Sequence, residues 1–181
     1  FPHENNELGR LMSENSKIRI AWGGRDAVSA ITEFPKMYDT EDLVFGPKIS
    51  YSVIAKEVLI SERKIKKVAR KVALDVSIFD QTGCASPHNL FIEKNEFITV
   101  ERFCEILSNS LENVSFQIPK EKQSNEQSAA VHSVRGLYDF KGKVWASGDT
   151  TWTVILSNDQ DLIDPIYSRV IFVHAVDNIS D

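Results

Sequence analysis

Apolar and polar positions along this chain switch repeatedly between a helical and an extended period, and the switches mark out its elements. Residues 7–14 carry a short helical pattern. Residues 17–22, with Ile18, Ile20, Ala21 and Trp22, read as a buried strand. Helical spacing returns over 25–34, with Ala27, Val28 and Ile31 on one side. Residues 49–55 read as a second strand. Ser61 then suits the N-cap of a long helix reaching about Ile78, with Ile65, Val68, Val72 and Val76 facing inward. A third strand is expected over 89–93 and a helix capped by Thr99 over 99–111. A polar connection follows over 119–127, then a helix over 127–137. Short β-like runs close the chain at 143–145, 152–156 and 169–174. Strands alternating with helices predict an α/β fold with a mostly parallel sheet flanked by helices. No internal repeat or low-complexity segment interrupts the pattern.

Composition narrows the classes. The chain has 181 residues, 42% of them hydrophobic and 26% charged, enough for a domain with a proper core. A formal charge of −5 argues against a nucleic-acid surface, which is normally basic. The stretch Arg63, Lys64, Lys66, Lys67, Arg70 and Lys71 is interleaved with apolar residues at helical spacing. It reads as the solvated face of an amphipathic helix; the sharper alternative is a landing site for the phosphates of a nucleotide or coenzyme A. No run approaches the ~20 apolar residues of a spanning helix, and no signal peptide is visible. Two cysteines make neither a disulfide framework nor a metal site, and they suit a reducing cytoplasm. The chain starts at Phe1 without methionine, so a piece of a longer protein is expected.

Candidate chemistry concentrates at Cys84, in Gln81-Thr82-Gly83-Cys84-Ala85-Ser86-Pro87-His88. Small residues there display a thiol at a loop, which a thiolate nucleophile needs, with backbone N–H groups near enough to hold an oxyanion. Cys104 lies in a helical pattern and reads as packing. His88 could support a thiolate, but packing is the preferred reading. Gly23 and Gly24 end one strand and open a helix, a geometry that lets backbone approach a nucleotide and that equally serves a tight turn. Phe45-Gly46-Pro47-Lys48 reads as a turn, and Asp161 as a surface residue of a polar turn. His3, His132 and His174 have no evident partner.

Trp22-Gly23-Gly24, Phe45-Gly46-Pro47-Lys48, Asp80-Gln81-Thr82-Gly83-Cys84 and Asp161-Leu162-Ile163-Asp164-Pro165 occur in this order. Together they resemble the acyl-CoA reductase family of the aldehyde dehydrogenase superfamily, in particular its bacterial bioluminescence branch. The resemblance implies an aldehyde-dehydrogenase-like fold, with residues 1–44 the end of a nucleotide-binding half and 45–181 an incomplete catalytic thiol domain. It implies Cys84 as the acylated nucleophile, Gly23, Gly24, Phe45 and Gly46 beside an NADPH cofactor, and Asp161 on its ribose, with no metal. Hydrolytic relatives carry a glutamate base where this chain has Val44, so an acyl-enzyme should resist water; Glu41 and Asp42 are the nearby rivals for that position. The superfamily's oxyanion asparagine is expected upstream of Phe1. The implied activity is reduction of long-chain fatty acyl-CoA or acyl-protein thioesters to aldehyde. Also implied are homo-oligomerisation, synthetase or transferase subunits as partners, and a cytoplasmic setting. A coenzyme-A-acylating aldehyde dehydrogenase for short aldehydes and a non-catalytic scaffold are the alternatives.

Overall fold

The computed structural model describes residues 5–46 and 48–180. They form two compact units, Phe1–Lys48 and Ile49–Asp181. The division falls after the Phe-Gly-Pro-Lys segment, so Phe45 and Gly46 belong to the first unit. Pro47 lies outside the described residues.

The first unit is α1 (Asn6–Glu14), β1 (Ile18–Trp22), α2 (Arg25–Glu33) and β2 (Glu41–Phe45). The two strands pair in parallel, with Trp22 opposite Phe45. β2 has no counterpart in the sequence pattern: Glu41-Asp42 hides its polar start and its apolar part is only Leu43, Val44 and Phe45. β1 is not the buried strand expected. Arg19 and Ala21 are buried, whereas Ile18, Ile20 and Trp22 are exposed, Trp22 to 76%. A two-stranded sheet leaves one face of the pleat uncovered, and the alternating side chains of β1 divide between the two faces.

A buried arginine organises this unit. Arg19 Nε and Nη2 donate to the two Asp42 carboxylate oxygens at 2.6 and 2.8 Å. Its Nη1 donates to Phe34 O at 2.9 Å and Ile31 O at 3.2 Å, and lies 3.3 Å from Ser13 Oγ. One guanidinium therefore ties β1 to β2, to the end of α2 and to α1. Bidentate charge-assisted pairing of this kind has the fixed geometry that a buried arginine needs.

The second unit contains β3 (Tyr51–Ile54), α3 (Glu62–Ser77), β4 (Asn89–Glu93), α4 (Val100–Gln117), α5 (Asn125–Lys141), β5 (Lys143–Ala146), β6 (Thr153–Ser157) and β7 (Val170–Val176). The sheet order is β3-β4-β7-β6-β5, parallel except for the antiparallel edge strand β5. Ser61, Thr99 and Ser124 each cap the following helix by accepting a backbone N–H, and Ser124 forms a full capping box with Gln127. α4 runs on to Gln117 and α5 spans both expected ends, because Leu111, Val114, Val131, Val134 and Tyr138 continue their buried faces.

Helices cover both faces of the sheet. α3 and α4 pack Ile65, Ala69, Val72, Val76, Phe103, Cys104, Leu107 and Leu111 against Leu90, Ile92, Ile171 and Val173. α5 packs Val131, Val134 and Tyr138 against Ile155, Val170 and Phe172 on the other side. β7 is therefore apolar on both faces, as a central parallel strand must be. The basic side chains of α3 are all exposed, in agreement with a solvated face.

Candidate functional site

In the first unit the residues expected at a nucleotide converge at one place. β1 and β2 end side by side, and Gly23 N donates to Phe45 O at 3.4 Å. Gly23 has φ +150°, which L side chains rarely adopt, and a Cβ there would lie 3.3 Å from Ala27 Cβ. Gly24 is the N-cap of α2 and, like Gly46, has open space where a Cβ would stand. Carboxyl ends of parallel strands, followed by a helix N-terminus, are where α/β sheets receive ligands. A cleft of about 750 Å³ lies between α1, β1 and α2, lined by Gly9, Met12, Ile18, Ile20, Ala27 and Ile31 among others. Periodicity gave no sign of it, because a cleft is made by the spacing of elements. At its wall a Cβ on Gly9 would come within 2.8 Å of the Phe34 ring.

Val44 lies in β2, half-exposed, in register with Ala21. Asp42 is bound to Arg19 and receives Lys36 Nζ at 2.7 Å, and these cations hold its carboxyl well below the usual carboxylate range. A carboxylate so engaged is a poor base. Glu41 is exposed at the start of the strand.

In the second unit the chain reverses sharply between α3 and Cys84. Phe79, Asp80 and Gln81 have φ of 52°, 49° and 64°. Consecutive left-handed residues that are not glycine persist only where their surroundings hold them. Here Gln81, fully buried, donates Nε2 to Pro87 O at 2.8 Å and Val170 O at 2.9 Å. Asp80 accepts from the buried Arg169 at 2.5 Å, and its carbonyl from Ser168 N at 3.2 Å. Beyond this knot Cys84 stands exposed and unpaired by disulfide. Ser50 Oγ donates to Cys84 O, and Ser50 O accepts from His88 N at 2.9 Å, so the residue preceding β3 grips the loop at two points.

Cys104 is fully buried in α4, and burial pushes its thiol far above the ordinary value. His88 is 4% exposed, packs its ring edge against Tyr167 and has its pKa lowered by burial. Asp161 is exposed in the segment between β6 and β7. His174, which had no evident partner, is fully buried: Nδ1 lies 2.7 Å from Asp159 O and Nε2 2.9 Å from Asn89 Oδ1. Among the described residues no group of acidic, histidine and cysteine side chains could hold a metal ion, and no helix is long and apolar enough to cross a membrane.

This arrangement has the fold of the aldehyde dehydrogenases. An indole-3-acetaldehyde dehydrogenase from P. syringae superposes with TM-score 0.69 at 11% identity, over 97% of this chain and 38% of that one. The 1-pyrroline-5-carboxylate dehydrogenase of Thermus thermophilus gives 0.66 at 13% identity, over 99% and 38%. The chain belongs to the acyl-CoA reductase (LuxC) family, whose profile matches residues 1–181. It is 30% identical to the long-chain acyl-protein thioester reductase of Vibrio harveyi, over 100% of this chain and 36% of that protein. The corresponding protein of Photorhabdus luminescens is 29% identical over 95% and 34%. The chain thus spans about a third of the length of these curated relatives.

Proposed function

We propose that the protein to which these residues belong reduces long-chain acyl thioesters to aldehydes through an acyl-Cys84 intermediate. The observation that carries this is the contrast between the two thiols of a LuxC-family chain: Cys84 is displayed on a braced loop and Cys104 is sealed in the core. The Cys84 thiolate attacks the thioester carbonyl, and its Sγ–C bond forms as the donor thiol leaves. Gly23, Gly24, Phe45 and Gly46 would hold NADPH, since the open glycine turn and the apolar cleft beside α2 fit a nucleotide; the resemblance to the family implies Asp161 as the partner of a ribose hydroxyl. When bound, that cofactor supplies the hydride. Collapse of the resulting thiohemiacetal on Cys84 releases aldehyde and returns the thiolate. Val44 cannot activate water, and Asp42 is engaged by Arg19 and Lys36, so the acyl-enzyme waits for reduction.

The acyl donor is a thioester on a protein or on coenzyme A, the former matching the relatives' names. Incubating the full-length chain with each labelled donor and mapping the label tests both points. Label on Cys84 that vanishes in Cys84→Ser is the expected result. Label retained in Cys84→Ser but lost in Cys104→Ser would overturn the assignment.

A further inference from the structure

Asp159 and Ile163 bracket Asp161, and two fully buried side chains of the sheet hold both. Asn89 donates Nδ2 to Ile163 O at 3.0 Å and accepts Ile163 N at 3.1 Å through Oδ1, a two-point pairing that fixes the amide's orientation. His174 meets Asp159 O through Nδ1 at 2.7 Å. Asp159 O and Asn89 Oδ1 both only accept, so a ring nitrogen that bonds to either does so as the donor. The ring stacks on Phe91 with centroids 4.7 Å apart, and its Nε2 abuts the same Asn89 amide oxygen. Asn89 and His174 are each 0% exposed. The titratable groups beside the ring are the Asp159 carboxyl and, beyond it, the Tyr138 hydroxyl 3.4 Å from that carboxyl.

Such placement is costly unless it holds something in position, because each buried polar atom needs a partner. The segment after β6 has no strand or helix of its own over 158–166. Its shape depends on what holds it from outside. Asn89 also opens β4 directly after the Cys84 loop, so one residue joins the exit of that loop to the segment bearing Asp161.

We infer that Asn89 and His174 are positioning residues that pin the arch from Asp159 to Ile163 and thereby set Asp161 for a cofactor hydroxyl. The inference rests on the reading of Asp161 given above. Both residues act through that carboxylate and not by contact with any ligand.

The test is a cycle of variants in the full-length chain, with nicotinamide-nucleotide affinity and Cys84 acylation measured separately. Asn89→Leu keeps the volume and removes the pairing with Ile163. His174→Phe keeps the ring on Phe91 and removes the bond to Asp159; it serves alone should Asn89→Leu fail to fold. Each is expected to weaken nucleotide binding about tenfold, while in His174→Phe acylation of Cys84 proceeds within about twofold of the parent. Asp161→Asn should weaken binding as well, and adding Asn89→Leu or His174→Phe to it should cost little more, since both act through one contact. Additive losses in the double variants, or unchanged affinity in the single ones, would overturn the inference. Unchanged affinity in Asp161→Asn alone would instead overturn the reading of Asp161 on which it stands.

Discussion

Two cysteines with the same covalent chemistry are made different by their surroundings. Cys104 sits among Phe103, Leu107 and Leu111, where a thiolate has no solvation. Iodoacetamide near neutral pH should therefore modify Cys84 in the folded chain and reach Cys104 only after denaturation, as read by peptide mass spectrometry. Equal labelling of both in the folded state would contradict the structure. Val44 marks a second residue-scale contrast. If Val44 stands where the resemblance to hydrolytic relatives implies their glutamate base, Val44→Glu is expected to accelerate loss of label from acylated Cys84 in the absence of cofactor. Unchanged decay would mean that position 44 does not face the acyl-enzyme.

Elements in the second unit are held by close approach and by burial. Gly142 follows α5 at the turn into the edge strand, and a Cβ there would lie 2.3 Å from Leu156 O. Backbone cannot yield as a flexible side chain can, so Gly142→Ala should cost about 1–3 kcal/mol in urea unfolding. Leu111, 1% exposed between α4 and the sheet, should cost about 2–5 kcal/mol when cut to alanine. The strand β2 and the exposed face of β1 were not legible beforehand. Pattern reading sees an apolar run and infers burial, but Ile18, Ile20 and Trp22 share a face that the two-stranded sheet leaves open. The helices fared better, because their caps and inner faces are local: Ser61 and Thr99 accept the expected N–H groups from Lys64 and Arg102.

Across the whole molecule, acid should act in two windows. Burial lowers the pKa of both His88 and His174 from the ordinary 6.5. The unfolded chain then binds protons at a higher pH than the folded one, so stability falls as the pH drops from about 6.5 through their folded values. Asp42 and Glu93 are lowered too, by Arg19 and by Lys56 respectively. Their stabilisation is present above the ordinary carboxylate range and is lost below about pH 4. Urea midpoints measured at stepped pH should decline in the upper window, and replacing His174 and His88 with glutamine should flatten that decline. A midpoint independent of pH between about 7.5 and 5 would show that neither ring is held neutral.

Sequence by itself determined the helices, their caps, the mostly parallel sheet and the cysteine to watch. Those features depend on neighbours a few residues apart, whose spacing and chemistry are written in order along the chain. The segments Trp-Gly-Gly and Asp-Gln-Thr-Gly-Cys were informative for the same reason. Only the tertiary structure decided what lies between distant residues. Arg19 meets Asp42 across a strand pair, Gln81 reaches Val170, and Asn89 reaches Ile163 and His174. A histidine or asparagine has no periodicity of its own, so nothing local announces its partner. Buried polar groups acquire their partners only when the chain closes on itself, and here the partners of Gln81 and Asn89 brace the loop of Cys84 and the segment of Asp161.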